Sequence, residues 1–175
     1  MITIVCSTNR TDSVSSKISR QYSHILDEKG VANQIIDLKN LPQDFIVSAL
    51  YENSGKNKIF NPFRKIMKES EKFVFVVPEY NGSFPGVLKA FIDGLEYPGT
   101  FKNKKCALVG LSSGIQGAGL ALSHLTDIFN YCGMNVLAQK VKLASIEANT
   151  DNELNITNEL YLQLLHEQAD LLLKF

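Results

Sequence analysis

The chain has 175 residues, 45% of them hydrophobic, and its 18 Lys and Arg balance its 18 Asp and Glu. That length suits one domain spanning residues 1–175, and zero net charge leaves no global field to draw nucleic acid or an anionic membrane surface. No apolar run approaches the roughly 18 residues of a membrane span, and three cysteines without CxxC spacing point to the reducing cytoplasm.

Ile2 to Cys6 reads as a strand and is too short, with no basic flank, for a signal sequence. A hydroxyl-rich loop follows, then a helix from about Ser13 to Lys29 that Gly30 closes. Asn33 to Leu38 is the second strand, and Leu41 to Asn57 is irregular, broken by Pro42 and Gly55. Asn61 is positioned to cap a helix with Pro62 in its first turn, ending near Ser70. Phe73 to Val77 is a fully apolar third strand. The helix after it is expected to be capped by Ser83, with Pro85 in its first turn, and to run through Val87–Leu95. Cys106 to Leu111 is the fourth strand, and the small-residue loop Ser112–Gly119 leads into a helix over Ala118–Tyr131, stopped by Gly133. Asn135 to Ala138 is a short fifth strand, and the last helix runs from about Asp151 to Leu173.

Short apolar strands alternating with helices imply right-handed crossovers and a parallel sheet covered on both faces. Five such strands give a three-layer α/β sandwich with the flavodoxin-like order 2-1-3-4-5. That order brings the loops after strands 1, 3 and 4 side by side, and these are the loops richest in polar and small residues.

The first of them, Ser7 to Ser16, carries six hydroxyl side chains and Arg10 at the start of a helix. Helix N-termini present unpaired N–H groups and favour negative charge, and Arg10 adds a charge-assisted pair of bonds. A phosphate monoester fits this loop. A pyrophosphate fits less well, since the G-x-G-x-x-G turn is absent. A helix cap alone would account for Ser13; the two later polar loops favour a ligand site. A cysteine phosphatase is disfavoured because Cys6 and Arg10 stand too close together for the loop to wrap a phosphate around the sulfur. In the second loop, Tyr80 offers a flat ring, Asn81 and Ser83 offer hydrogen bonds, and Gly82 permits close approach to the backbone. Together these suit a planar heteroaromatic ligand with polar edges, for which a flavin is the obvious candidate. Gly114, Gly117 and Gly119 in the third loop allow either a backbone-lined cleft or tight strand–helix packing. His24, His124 and His166 each stand alone, so no metal site is indicated, and Glu79 reads more readily as a solvated loop carboxylate than as a catalytic acid.

Thr8-Asn9-Arg10-x-x-Ser13 resembles the G-[ST]-x-R-x-x-S phosphate loop of the NAD(P)H-dependent FMN reductases. Pro78-Glu79-Tyr80-Asn81-Gly82-Ser83-x-Pro85-Gly86-x-Leu88-Lys89 resembles that family's P-x-Y-N-x-S-x-P-G-x-L-K motif, Asp93 matches an acidic position that often follows, and Ser113-Gly114 with Gly117 match its third flavin loop. The family includes azo-, quinone and chromate reductases, flavodoxin-like cytosolic proteins that are usually dimers or tetramers. The resemblance implies that Thr8, Arg10, Ser13 and Ser15, with Val14 among them, hold an FMN phosphate. It implies that Pro78, Glu79, Tyr80, Asn81, Gly82 and Ser83 line the isoalloxazine, and that Ser113, Gly114 and Gly117 meet its far side. The activity it implies is transfer of electrons from NADPH or NADH through FMN to a small-molecule acceptor, by ping-pong kinetics and without a strictly catalytic side chain. The remaining readings are a flavodoxin-type electron carrier, disfavoured by the neutral charge, and an interaction module without cofactor, disfavoured by Arg10 and the Tyr80–Ser83 loop. One departure stands out: Ser7 occupies the place of the family's usual glycine.

Overall fold

A computed structural model describes residues 1–175. Its elements are β1 (Ile2–Cys6), α1 (Val14–Glu28), β2 (Asn33–Asp37), a one-turn α2 (Phe45–Ser48), α3 (Asn61–Glu69) and β3 (Lys72–Pro78). Then come α4 (Gly86–Asp93), β4 (Lys105–Leu111), α5 (Gly119–Tyr131), β5 (Asn135–Leu143) and α6 (Glu159–Lys174). All strand pairs are parallel, in the order β2-β1-β3-β4-β5 expected from the sequence.

Alternation along the strands builds two cores. Val5, Phe73, Phe75, Val77 and Leu108 point to one face, where Met67 of α3, Leu88 and Phe91 of α4, and Leu125 and Phe129 of α5 cover them. Ile4, Val74, Val76, Ala107 and Val109 point to the other, against Ile18, Tyr22 and Leu26 of α1 and Leu165, Ala169 and Leu172 of α6. A central sheet buried on both faces needs apolar residues at every position, which is why β3 and β4 read as continuous apolar runs.

Several boundaries differ from the sequence expectation. Ser83 does not cap a helix. It closes a tight turn with Tyr80, and α4 begins later, behind Pro85. Asn61 is the first residue of α3 rather than its cap; the carboxamide oxygen of Asn57 accepts the Ile59 and Phe60 amides instead. β5 runs on from Ala138 to Leu143, because Lys140-Val141-Lys142-Leu143, beyond a register irregularity, alternates polar and apolar side chains as a half-exposed edge strand does. α6 starts at Glu159, capped by Asn158, whose side chain accepts from the Tyr161 amide. Asp151 instead accepts the Glu153 and Asn155 amides in a turn.

Candidate functional site

The carboxyl ends of β1, β3, β4 and β5 frame a cleft of about 240 Å³, lined by Arg10, Asp12 and Ser13–Ser15, Pro78–Tyr80, Leu111–Ser113, Ile146 and Glu147. This is the edge at which open α/β sheets bind ligands.

Its first wall is the β1–α1 loop. Ser13 caps α1, its Oγ accepting from the Ser16 amide at 3.2 Å. The amides of Val14 and Ser15 follow at the start of the helix, where no preceding turn supplies carbonyls. Arg10 lines the cleft beside them. A helix start beside an arginine has the chemistry to receive an anion. Ser7, where a glycine was expected, lies outside the positive-φ residues, and its Oγ donates to the Val5 carbonyl at 3.2 Å, so the serine sits buried without backbone strain. Cys6 is buried and its thiol is pushed up to about 11, first by burial and then by the charge of Asp37. It stays a protonated thiol near neutral pH, which removes the cysteine-nucleophile reading on chemical as well as spacing grounds.

The second wall continues β3. Glu79 extends the sheet ladder, its amide donating to the Leu111 carbonyl at 2.9 Å. Tyr80 and Ser83 then exchange both backbone bonds around Asn81 and Gly82, whose φ values are +51° and +75°. Positive φ at both central positions is the type I′ turn for which Asn-Gly is the preferred pair. Two side-chain bonds fix this hairpin. The Tyr80 hydroxyl and Thr8 Oγ1 lie 2.7 Å apart, and Ser83 Oγ lies 2.9 Å from His124 Nδ1 on α5. One oxygen of Glu79, Oε2, is buried and has no hydrogen-bond partner.

The third wall is the β4–α5 loop, folded over its own strand. Ser112 Oγ donates to the Gly114 carbonyl and accepts the Gly117 amide, both at 2.9 Å. Gly117 has φ +56°, and a Cβ there would come within 2.8 Å of Lys142 Cβ, so only glycine fits. The fourth wall, absent from the sequence reading, follows β5: Ser113 Oγ donates to Glu147 Oε1 at 2.6 Å.

Of the residues singled out in the sequence, Arg10, Ser13, Val14, Ser15, Pro78, Glu79, Tyr80 and Ser113 line the cleft together. Thr8, Asn81, Gly82, Ser83, Gly114 and Gly117 are not among its lining residues. Thr8 is buried behind Tyr80, and the others shape the loops. Asp12, Leu111, Ser112, Ile146 and Glu147 line it in addition. Ser112 belonged to the recognised small-residue loop. Ile146 and Glu147 were hidden because β5 seemed to end at Ala138.

Residues 1–148 match the protein-family model for the NADPH-dependent FMN reductases. A 2-hydroxy-1,4-benzoquinone reductase from a Burkholderia species is 26% identical over 162 residues, spanning 90% of this chain and 86% of its own. An NAD(P)H-dependent FMN reductase from Pseudomonas aeruginosa is 26% identical over 150 residues, spanning 82% and 77%. Among solved structures, the flavoenzyme NAD(P)H:(acceptor) oxidoreductase FerB from Paracoccus denitrificans superposes with a TM-score of 0.79 at 20% identity, covering 99% of this chain and 94% of that one. An FMN-dependent NADH-azoreductase from Bacillus anthracis, solved in complex with FMN, gives 0.65 at 16% identity, covering 98% and 99%. At such identities the structural likeness shows the shared flavodoxin-like fold.

Proposed function

Because this chain belongs to the NADPH-dependent FMN reductase family, we propose that it is an FMN-containing oxidoreductase moving electrons from NAD(P)H to a quinone, an azo compound or free flavin. The observation that carries this is the polarity of the cleft. Arg10 and the start of α1, after β1, stand on one side, Ser112 and Ser113, after β4, on the other, and Pro78–Tyr80, after β3, between them. FMN has matching ends, a phosphate and a flat ring with hydrogen-bonding edges. The unpartnered Glu79 oxygen is a further sign of fit, since an orphaned buried acceptor is costly until a ligand donor meets it.

When bound, FMN supplies the redox chemistry, accepting a hydride from the nicotinamide and passing the electrons to the acceptor. The chain's own work is placement. Arg10, Ser13 and the Val14 and Ser15 amides hold the phosphate. Pro78, Tyr80, Leu111 and Ser113 seat the ring, while Thr8, Asn81, Gly82, Ser83, Gly114 and Gly117 keep the loops in shape. No side chain is asked to form a covalent intermediate, consistent with the protonated thiol of Cys6. Donor and acceptor entering one opening in turn predicts ping-pong kinetics.

The test is an anaerobic absorbance titration with FMN followed by NADPH or NADH. Perturbed flavin bands that bleach on adding nicotinamide are the expected result. Bands that stay oxidised would instead mark a carrier fed by another protein, and absence of binding would reject the reading.

The same reading makes residues 1–175 one FMN-binding domain, working in the cytoplasm as a homodimer or a homotetramer built from such pairs. No helix is long and apolar enough to cross a membrane. Tyr97 and Tyr131, 67% and 80% exposed, stack at 6.3 Å beside a groove of about 750 Å³ that includes Ile92, Leu95 and Ile128. Exposed, ordered aromatic rings beside an apolar groove suit a contact between copies. Light scattering is expected to return a multiple of the chain mass; the mass of one chain would refute the assembly.

A further inference from the structure

The charges around the cleft are unevenly placed. Its lining holds one cation, Arg10, and three carboxylates, Asp12, Glu79 and Glu147. Asp12 shares the phosphate loop with Arg10, two residues along the chain. Glu79 and Glu147 follow the ends of β3 and β5, beside residues proposed above to seat the flat ring.

The two outer carboxylates differ in how they are held. Glu147 is exposed, and Ser113 Oγ engages its Oε1 at 2.6 Å. Glu79 has its Oε2 enclosed, without any donor. Nothing in the fold satisfies that oxygen. Its amide already serves the sheet ladder, so the carboxylate is not needed to hold the strand end in place.

We infer that Glu79 and Glu147 form an acidic end of the flavin cleft, accepting hydrogen bonds from the cofactor's N–H and hydroxyl groups and disfavouring its reduced form. The inference rests on the flavin reading of the cleft. A carboxylate accepts but cannot donate, so it serves the donors of a flavin in either redox state. Reduction adds electron density to the ring, and negative side chains in a partly enclosed cleft oppose that addition more strongly than water would. The bound flavin is thereby made the stronger reductant, which favours transfer onward to the acceptor once the nicotinamide has delivered its electrons.

The experiment compares dissociation constants for oxidised FMN, by fluorescence titration, and for reduced FMN, by anaerobic titration. Spectroelectrochemical midpoint potentials provide an independent check. In Glu79→Gln the affinity for reduced FMN relative to oxidised FMN is expected to rise about tenfold, equivalent to a potential about 30 mV more positive for a two-electron couple. Glu147→Gln is expected to shift the same way by less, because its charge is exposed to solvent and salt. Asp12→Asn, at the phosphate end, is expected to strengthen binding of both forms alike and leave their ratio unchanged.

Ratios within twofold of the parent protein in both glutamine variants would overturn the inference. So would a shift in Asp12→Asn equal to theirs, since the effect would then belong to net charge and not to the ring end. If Glu79→Gln fails to fold, Glu147→Gln, on an exposed loop, decides by itself. Failure of the parent protein to bind FMN would reject the flavin reading and this inference with it. Binding with unmoved ratios would reject this inference alone.

Discussion

Replacing Arg10 with alanine is expected to weaken FMN binding by about 10- to 100-fold while leaving riboflavin binding unchanged, because hydrogen bonds to a charged partner contribute about 1.5–3 kcal/mol. Arg10 is exposed on the β1–α1 loop and makes no salt bridge within the protein. Removing it therefore leaves no buried charge behind, and the fold should be indifferent. Lysine at the same position should recover only part of the loss, since it restores the charge but not the planar fork that meets two phosphate oxygens at once. Paired titrations with FMN and riboflavin check the result. Equal losses for the two ligands would show that Arg10 acts on the ring or on the loop, and would remove the anion end from the site.

Gly110 is the position where the smallest addition should do most damage. It lies inside β4, and a Cβ there would sit 2.5 Å from the Gly117 carbonyl oxygen, and 3.0 Å from both Ala118 Cβ and Leu122 Cδ1. The nearest of these is backbone, so no rotamer change relieves it. Gly110→Ala must lift the Ser112–Ala118 loop off the strand, at a cost of about 1–3 kcal/mol. That corresponds to a fall in Tm of roughly 2–4 °C per kcal/mol for a chain of this size. Ser112 and Ser113 move with the loop, so FMN affinity should fall together with Tm. Calorimetry and the FMN titration on one preparation test both. A variant with parental Tm would mean that the loop already has room to give.

Local rules carried much of this architecture. The continuous apolar runs of β3 and β4 announce strands buried on both faces, and Asn81-Gly82 announces the type I′ turn that shapes the second wall. Ser13 before a helical pattern announces the cap of α1. Less legible was whatever depends on contacts distant in sequence. The Lys140 and Lys142 positions look like loop residues until one knows that β5 is the sheet edge, with one side partly open to solvent. Only then does the chain after Leu143 fall at the carboxyl edge, and only then does Glu147 meet Ser113, 34 residues earlier. Ser83 offered a plausible helix cap by type. Its pairing with Tyr80 prevails because two backbone bonds and the His124 contact act together. The missing partner of Glu79 Oε2 could not be read from type or spacing at all, because it depends on what surrounds the side chain.

The side-chain bonds that tie the walls together have an entropic meaning. Thr8 to Tyr80, Ser83 to His124 and Ser113 to Glu147 each link segments far apart in the chain, and both partners of every bond belong to the protein itself. The entropy of ordering these loops is thus spent during folding rather than at the moment of binding. An incoming cofactor meets a mould that is already set, and a departing one leaves it standing. Each of these ties lowers the ordering cost that a ligand in the cleft would otherwise have to meet.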